Sequence, residues 1–220
     1  MTAIVTGAAR GIGRAVADRL AEEHDVLRVD LDPSVEEAGG IVADVTDPEG
    51  RARIVDAAGE VSVLVNNAGI TRDARMVKMD EDAFLAVIRV NLGAAYELTR
   101  AVTFKDGASV ISLASRAYLG NFGQFNYSAS KGGLVGMTRG LALELAPRVR
   151  VNAIAPSLTA SEMTRAMPEK VLDKMIASIP LGRMAQPEEI AETIAALASP
   201  AAAYVTGQVL VACGGRSLAP

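Results

Sequence analysis

The chain has one cysteine, Cys213, and one histidine, His24, so it can form no internal disulfide and offers a metal no histidine pair. It also lacks a basic block: 22 Lys and Arg stand against 26 Asp and Glu, a net charge of −4. That argues against nucleic acid as the main partner, because phosphate neutralisation needs clustered cations. No apolar run approaches the roughly 18–20 residues of a membrane span. No basic stretch or apolar signal segment precedes the strand-like Thr2-Ala3-Ile4-Val5-Thr6. A Pro-, Gly- or Ser-rich linker is absent, and so is any internal repeat. What remains is 220 residues, half of them hydrophobic, which is core enough for one domain spanning residues 1–220. The expected location is the cytoplasm, with chemistry run by side chains other than Cys and His.

Short β-branched runs alternate with longer helical patterns, the mark of an α/β fold with a doubly wound parallel sheet. Strands are expected at residues 3–6, 26–30, 41–44, 61–66, 109–113, 149–154 and 208–211. Most are continuous apolar runs, as strands covered by helices on both faces should be. Helices are expected at 11–23, 48–58, 80–102, 128–146 and 187–197. In the third, Phe84, Val87, Ile88 and Asn91 recur at helical spacing, which makes Asn91 a polar residue on a buried face. Residues 157–183 form the one long excursion between a strand and the next sheet-packing helix. They carry Met163, Met167, Val171, Leu172, Met175 and Ile176, and read either as a lid over a substrate site or as an ordinary pair of surface helices.

Directly after the first strand comes Thr6-Gly7-Ala8-Ala9-Arg10-Gly11-Ile12-Gly13, opening an amphipathic helix. Gly7, Gly11 and Gly13 permit a tight turn, close approach of backbone amides to a pyrophosphate, and close helix-to-strand packing. The unpaired amides of the helix start then face the phosphate, with the positive end of the dipole behind them. The second strand ends in Asp30, whose carboxylate can accept from the adenosine ribose hydroxyls and would repel a 2′-phosphate. The expected cofactor is therefore NAD rather than NADP, although Arg10 offers a charge to a phosphate and Asp32 could merely cap the turn at Pro33. Asp44-Val45 suits an adenine-edge contact. Asn66-Asn67-Ala68-Gly69 suits either cofactor lying against the chain or a sheet-end turn held by side-chain hydrogen bonds.

Tyr127 and Lys131 lie four apart at the start of a helix and share a face. A free phenol titrates near ~10, and a neighbouring ammonium and a helix N-terminus should both lower that value. The phenol then becomes a general acid or base for a carbonyl/alcohol pair. Ser115, just past the fifth strand, could hold a substrate carbonyl against Tyr127, with Ser112 as its rival inside the strand. Asn91 could bind an ordered water relaying protons from Lys131, or could cap a helical kink.

Together these residues resemble the short-chain dehydrogenase/reductase family, most closely its 3-oxoacyl-reductase-like branch. The match runs through residues 6–13, Asp30, Asp44-Val45, residues 66–69, Asn91, Ser115, Tyr127-Ser128-Ala129-Ser130-Lys131, residues 151–156 and residues 204–208. The resemblance implies a seven-stranded Rossmann-type fold, a nicotinamide cofactor and an Asn91-Ser115-Tyr127-Lys131 tetrad. It implies that Lys131 also holds the nicotinamide ribose and that the segment carrying Pro156, Ser157, Thr159 and Ser161 touches the carboxamide. It further implies a homotetramer assembled through helices 80–102 and 128–146. The leading expectation is an NAD-linked dehydrogenase or ketoreductase for a secondary alcohol or ketone. Alternatives are a 3-oxoacyl thioester reductase using NADP(H) and a non-catalytic dinucleotide sensor.

Three departures from the family pattern stand out. The interval from Ser115 to Tyr127 is one residue shorter than usual, and counting back from Tyr127 would put Ala114 in the serine's place. Ser157 stands where glycine is common, and residues 32–40 leave little room for the usual helix. The run Thr103-Phe104-Lys105-Asp106-Gly107 lacks a basic cluster for an acidic carrier protein. Tyr118, Phe122 and Phe125 suggest either an apolar substrate wall, or core or subunit interface.

Overall fold

A computed structural model describes residues 2–161, 164 and 167–218. Met163, one of the expected lid residues, lies outside them. Seven strands, β1 Thr2–Thr6, β2 Asp25–Asp30, β3 Ile41–Val42, β4 Glu60–Asn66, β5 Thr103–Leu113, β6 Val149–Pro156 and β7 Val209–Ala212, form one sheet. Their order is β3-β2-β1-β4-β5-β6-β7 and every neighbouring pair is parallel. Parallel pairing leaves both faces to be covered, and the helices do this. They are α1 Gly11–Leu20, α2 Pro48–Ala58, α3 Glu81–Ile88, α4 Ala94–Ala101, α5 Phe125–Glu144, α6 Glu169–Ala177 and α7 Pro187–Ala198.

Alternation along each strand divides the core in two. Ala3, Val5, Val63, Val65, Ile111 and Ile154 face Val16 and Leu20 of α1 and Ile190 and Ile194 of α7. On the other face, Ile4, Val29, Leu64, Val110 and Val151 meet Ile54 of α2, Leu98 of α4 and Ala142 of α5. Ile194 is completely buried between α1 and the sheet. Replacing it by Ala removes buried methyl groups from a site that cannot collapse, so urea unfolding should show a loss of about 2–5 kcal/mol.

Several boundaries differ from the sequence reading, each for a local reason. β3 stops at Val42 rather than 44, and the Asp44 carboxylate accepts from both the amide and the hydroxyl of Thr46, turning the chain. β5 begins six residues early: Thr103 and Phe104 pair with Glu60 and Val61 before a register shift. A short 3₁₀ helix, Pro33–Ala38, occupies the space between β2 and β3, capped by Asp32, which accepts from the Ser34 amide. The long third helix is two helices joined by a π-helical turn over Arg89–Gly93. Among the described residues, no helix is long and apolar enough to cross a membrane.

The connections put β2 and β4 on opposite sides of β1. In open α/β sheets such a reversal opens a crevice outside the carboxyl ends of the strands, where ligands bind.

Candidate functional site

A cleft of about 760 Å³ occupies that crevice, and nearly every residue singled out in the sequence borders it. At one end lie Gly7, Arg10, Ile12 and Gly13 of the glycine turn, with Asp30, Asp44 and Val45. Asn67, Ala68 and Gly69 form the middle. Ser115, Tyr127, Lys131, Pro156, Ser157, Thr159 and Ser161 close the other end. Gly11 and Asn91 are the two candidates that do not border it.

The glycine turn is built for close approach. Gly7 has φ +67°, a left-handed conformation that glycine adopts without strain, and a β-carbon there would meet Asn67 Nδ2 at 2.7 Å. A β-carbon on Gly13 would run into the Gly7 carbonyl oxygen. Both hydrogens of the Asn67 amide are spent on this turn, donated to the Thr6 and Gly7 carbonyls at 2.8 and 2.9 Å. The Thr6 hydroxyl oxygen accepts from the amides of Asn67 and Ala68, both at 3.0 Å. Thr6 therefore fastens β1 to the end of β4, a role the sequence reading missed; its only signal was its place just before Gly7. The free amides at the start of α1, together with the β-carbon-free cradle, suit the pyrophosphate of a dinucleotide.

Asp30 behaves differently from expectation. One of its carboxylate oxygens accepts from the Ala9 amide at 2.9 Å and the other from the Asp32 amide at 3.0 Å. It braces the two loops at this end of the cleft. Arg10 is exposed beside them, 3.8 Å from the Asp32 carboxylate.

At the other end, Lys131 is buried and its ammonium donates to the Leu113 carbonyl at 2.6 Å. It sits 5.6 Å from the centre of the Tyr127 ring. Burial lowers the Lys131 pKa to about 8. Burial also holds the Tyr127 phenol above its ordinary value, with Asp73 pushing the same way and a hydrogen bond from the Ser115 side chain pulling against them. The lysine thus does not make the phenol acidic in this state, contrary to the sequence reading, because desolvation opposes the charged form of both groups. Ser115 is extended and also caps the following 3₁₀ turn, accepting from the Ala117 amide at 3.2 Å. The structure thus brings Ser115 to Tyr127. Ala114 lies in the apolar cluster beneath, and the Ser112 hydroxyl is buried in the strand.

The titration of Lys131 has a measurable consequence. Below pH 8 the amine is charged in both folded and unfolded chains, and the fold bears its full desolvation. Between pH 8 and the ordinary 10.5 the unfolded chain binds the extra proton, so stability rises with pH through that window. Lys131→Met should flatten the rise, a difference on the order of 3 kcal/mol read by urea titrations below and above the window.

Asn91 is buried at the centre of the π turn. Its side-chain oxygen accepts from the Ile70 amide at 2.8 Å, and its nitrogen donates to the Ile70 carbonyl and the Ser130 hydroxyl, both at 3.0 Å. Ser130 in turn donates to the Tyr127 carbonyl at 2.8 Å. Asn91 therefore ties the loop after β4 to the first turns of α5. Ser130 is a second residue the sequence reading passed over, although it lies three past Tyr127 on the same helix.

The aromatic residues read as either a substrate wall, or core or subunit interface, do not border the cleft. Phe122 is exposed, Phe125 stacks on Phe84 with centroids 5.7 Å apart, and Tyr118 packs against Ala114 and Val135.

Comparison with known proteins agrees with this geometry. A family model described as enoyl-(acyl carrier protein) reductase matches residues 7–217. The 3-oxoacyl-(acyl-carrier-protein) reductase of Thermotoga maritima is 42% identical over 235 residues, covering 96% of each chain. The Escherichia coli protein of the same description is 37% identical over 236 residues, covering 97% of this chain and 96% of its own. A solved structure from Brucella melitensis, described as short-chain dehydrogenase/reductase SDR:glucose/ribitol dehydrogenase, superimposes with a TM-score of 0.92 at 32% identity. It covers 98% of this chain and 96% of that one. These relatives correct the expected preference for NAD. The Thermotoga maritima and Escherichia coli relatives are described as 3-oxoacyl reductases, the branch for which the sequence reading paired the thioester with NADP(H). The physical setting is that Asp30 also braces the loops through one amide on each oxygen, while the exposed guanidinium of Arg10 at the same end of the cleft offers a cation to a phosphate.

Proposed function

The chain belongs to the short-chain dehydrogenase/reductase family, on its 3-oxoacyl-reductase-like branch, and from that premise we propose that this oxidoreductase reduces the 3-oxo group of an acyl thioester with NADPH. The observation that carries the reading is the convergence of Ser115, Tyr127 and Lys131 on one end of the cleft whose other end is the glycine turn. A dinucleotide held in this cleft would supply the hydride that the carbonyl carbon accepts. The Ser115 hydroxyl donates to the substrate carbonyl oxygen and holds it at the Tyr127 phenol. Tyr127 gives its proton to that oxygen as charge develops there, and a phenol kept neutral by burial is ready to do so. Lys131, fixed by the Leu113 carbonyl, holds the ribose hydroxyls and returns the proton to the phenolate. Asn91 acts by positioning, tying the loop after β4 to the first turns of α5 that carry Tyr127 and Lys131. Gly7, Gly11, Ile12 and Gly13 receive the pyrophosphate, Asp44 and Val45 the adenine, and Arg10 the 2′-phosphate. Asn67, Ala68 and Gly69 line the ribose side, and Pro156, Ser157, Thr159 and Ser161 the carboxamide.

Residues 157–183 form the lid of this single unit. Support comes from α6, an amphipathic helix that buries none of its residues. Four copies assemble through α3–α4 and α5, in keeping with the exposed Leu85, Tyr96 and Leu143 on those helices.

The test is turnover of 3-oxobutanoyl-coenzyme A against simple ketones and secondary alcohols, each with NADPH and NADH. The thioester with NADPH should exceed any simple ketone by at least about 100-fold in kcat/KM; equal turnover of an unactivated ketone overturns the reading. In the same assay Arg10→Ala should raise KM for NADPH about 10-fold with little change in kcat, the loss of one charge-assisted contact.

A further inference from the structure

Tyr127 is held at more points than its place in a helix requires, and one of them is supplied by a residue outside the tetrad. It stands third in α5, where main-chain amides have no intrahelical carbonyl to reach. A side chain just ahead of the helix ordinarily satisfies such an amide. Gln124 holds that place but is turned outward, donating to the Asp73 carboxylate at 2.9 Å and accepting from the Asn121 side chain at 2.6 Å. The task falls to Asn126, whose side-chain oxygen accepts from the Tyr127 amide at 2.7 Å.

Asn126 is completely buried, and both ends of its amide are engaged. Its nitrogen donates to the Arg72 carbonyl at 2.9 Å and, at a longer 3.5 Å, to the Ala83 carbonyl in α3. Only one orientation of the amide meets all three groups, since the main-chain N–H needs the oxygen and the carbonyls need the nitrogen. The far end of this linkage is the loop after β4, which Asn91 grips two residues earlier at Ile70. Asn91 and Ser130 join the same loop to the Tyr127 carbonyl. The N–H and the C=O of Tyr127 are therefore both fixed by buried side chains anchored on residues 70–72. Ile70 and Thr71 border the cleft directly beyond Asn67, Ala68 and Gly69, so one short loop links the middle of the cleft to the helix that carries the phenol.

A general acid must sit within hydrogen-bond reach of the oxygen it protonates, and a displacement on the order of 1 Å costs about 100-fold in rate. In the first turn of a helix the ladder engages carbonyls but not amides, so the amide side of Tyr127 depends on Asn126. We propose that Asn126 is a positioning residue for the reduction: by tying the Tyr127 amide to the Arg72 carbonyl it sets where the phenol enters the cleft. Asn126 itself does not border the cleft, so it acts through Tyr127. The inference rests on Tyr127 as the proton donor and adds a residue to that reading.

The test is a mutant cycle read with 3-oxobutanoyl-coenzyme A and NADPH. Asn126→Ala should lower kcat about 100-fold, with KM for the thioester and Kd for NADP⁺ each within about 3-fold of wild type. In a Tyr127→Phe background the same change should lower kcat no further, because a residue that acts only through the phenol then has nothing left to position. Ile194→Ala is the control for stability: it weakens the fold but should keep kcat per folded molecule. Asn126→Asp keeps the size and the oxygen that receives the Tyr127 amide, so it should retain more of kcat than Asn126→Ala; it takes the alanine variant's place in the cycle if that protein does not fold. Losses that multiply in the double variant overturn the proposal, and so does a kcat for Asn126→Ala within about 3-fold of wild type. Turnover retained by Tyr127→Phe alone would instead overturn the role of Tyr127, which separates the two failures.

Discussion

Tyr127→Phe is expected to lower kcat by about 10²–10⁴, the contribution of a positioned proton donor, while the Kd for the dinucleotide stays within about 2-fold. The phenyl ring keeps the packing and the approach of Lys131 at 5.6 Å from its centre. What is lost is the hydroxyl at the end of the cleft that Ser115 also borders. Burial keeps that hydroxyl protonated, so the loss falls on the chemical step and not on binding. Stopped-flow turnover with a separate fluorescence titration of the dinucleotide divides the two. Retained turnover would remove Tyr127 from the chemistry. Retained biological effect with lost turnover would instead favour the dinucleotide-sensor alternative.

Gly13→Val should be equally severe by a different route. A β-carbon at residue 13 collides with the Gly7 carbonyl and with the Asn67 side chain that holds the turn. Neither neighbour can yield: the first is backbone, and the second is fixed by hydrogen bonds to Thr6 and Gly7. The start of α1 must move off β1, carrying the amides that face the pyrophosphate. A loss of dinucleotide affinity of at least about 100-fold is expected, measured by the same titration. Gly11→Ala serves as the comparison, because a β-carbon there meets nothing within 4 Å and the change strains only a φ of +55°. Undiminished binding in Gly13→Val would show that the turn is not the phosphate cradle.

Where the sequence could be read correctly, the information was local. The glycines, the four-residue step from Tyr127 to Lys131 and the apolar strand runs each carry their meaning within one or two turns of chain. The parallel sheet followed from the alternation of strands and helices. The misreadings came from backbone contacts and burial that the pattern of residue types does not show. Asp30 reads as a ribose acceptor at the tip of a strand, yet the amides that claim it belong to Ala9 and Asp32. The Tyr127–Lys131 spacing is visible, but the depth of burial that opposes both charges is not. The early start of β5 depends on Glu60 and Val61, more than forty residues away in sequence.

The π turn at Arg89–Gly93 has a consequence for how this protein tolerates change in length. Each helical residue advances the chain by about 100°, so the widened turn re-phases α4 relative to α3. Before it, Phe84 stacks on the start of α5; after it, Leu98 packs beneath the sheet. Excising one residue there would restore a regular helix and swing Asn91 away from Ile70, and no neighbouring substitution could repair the misalignment. A systematic deletion scan should therefore find this stretch, deep inside what looks like an ordinary helix, as unforgiving as the catalytic tyrosine.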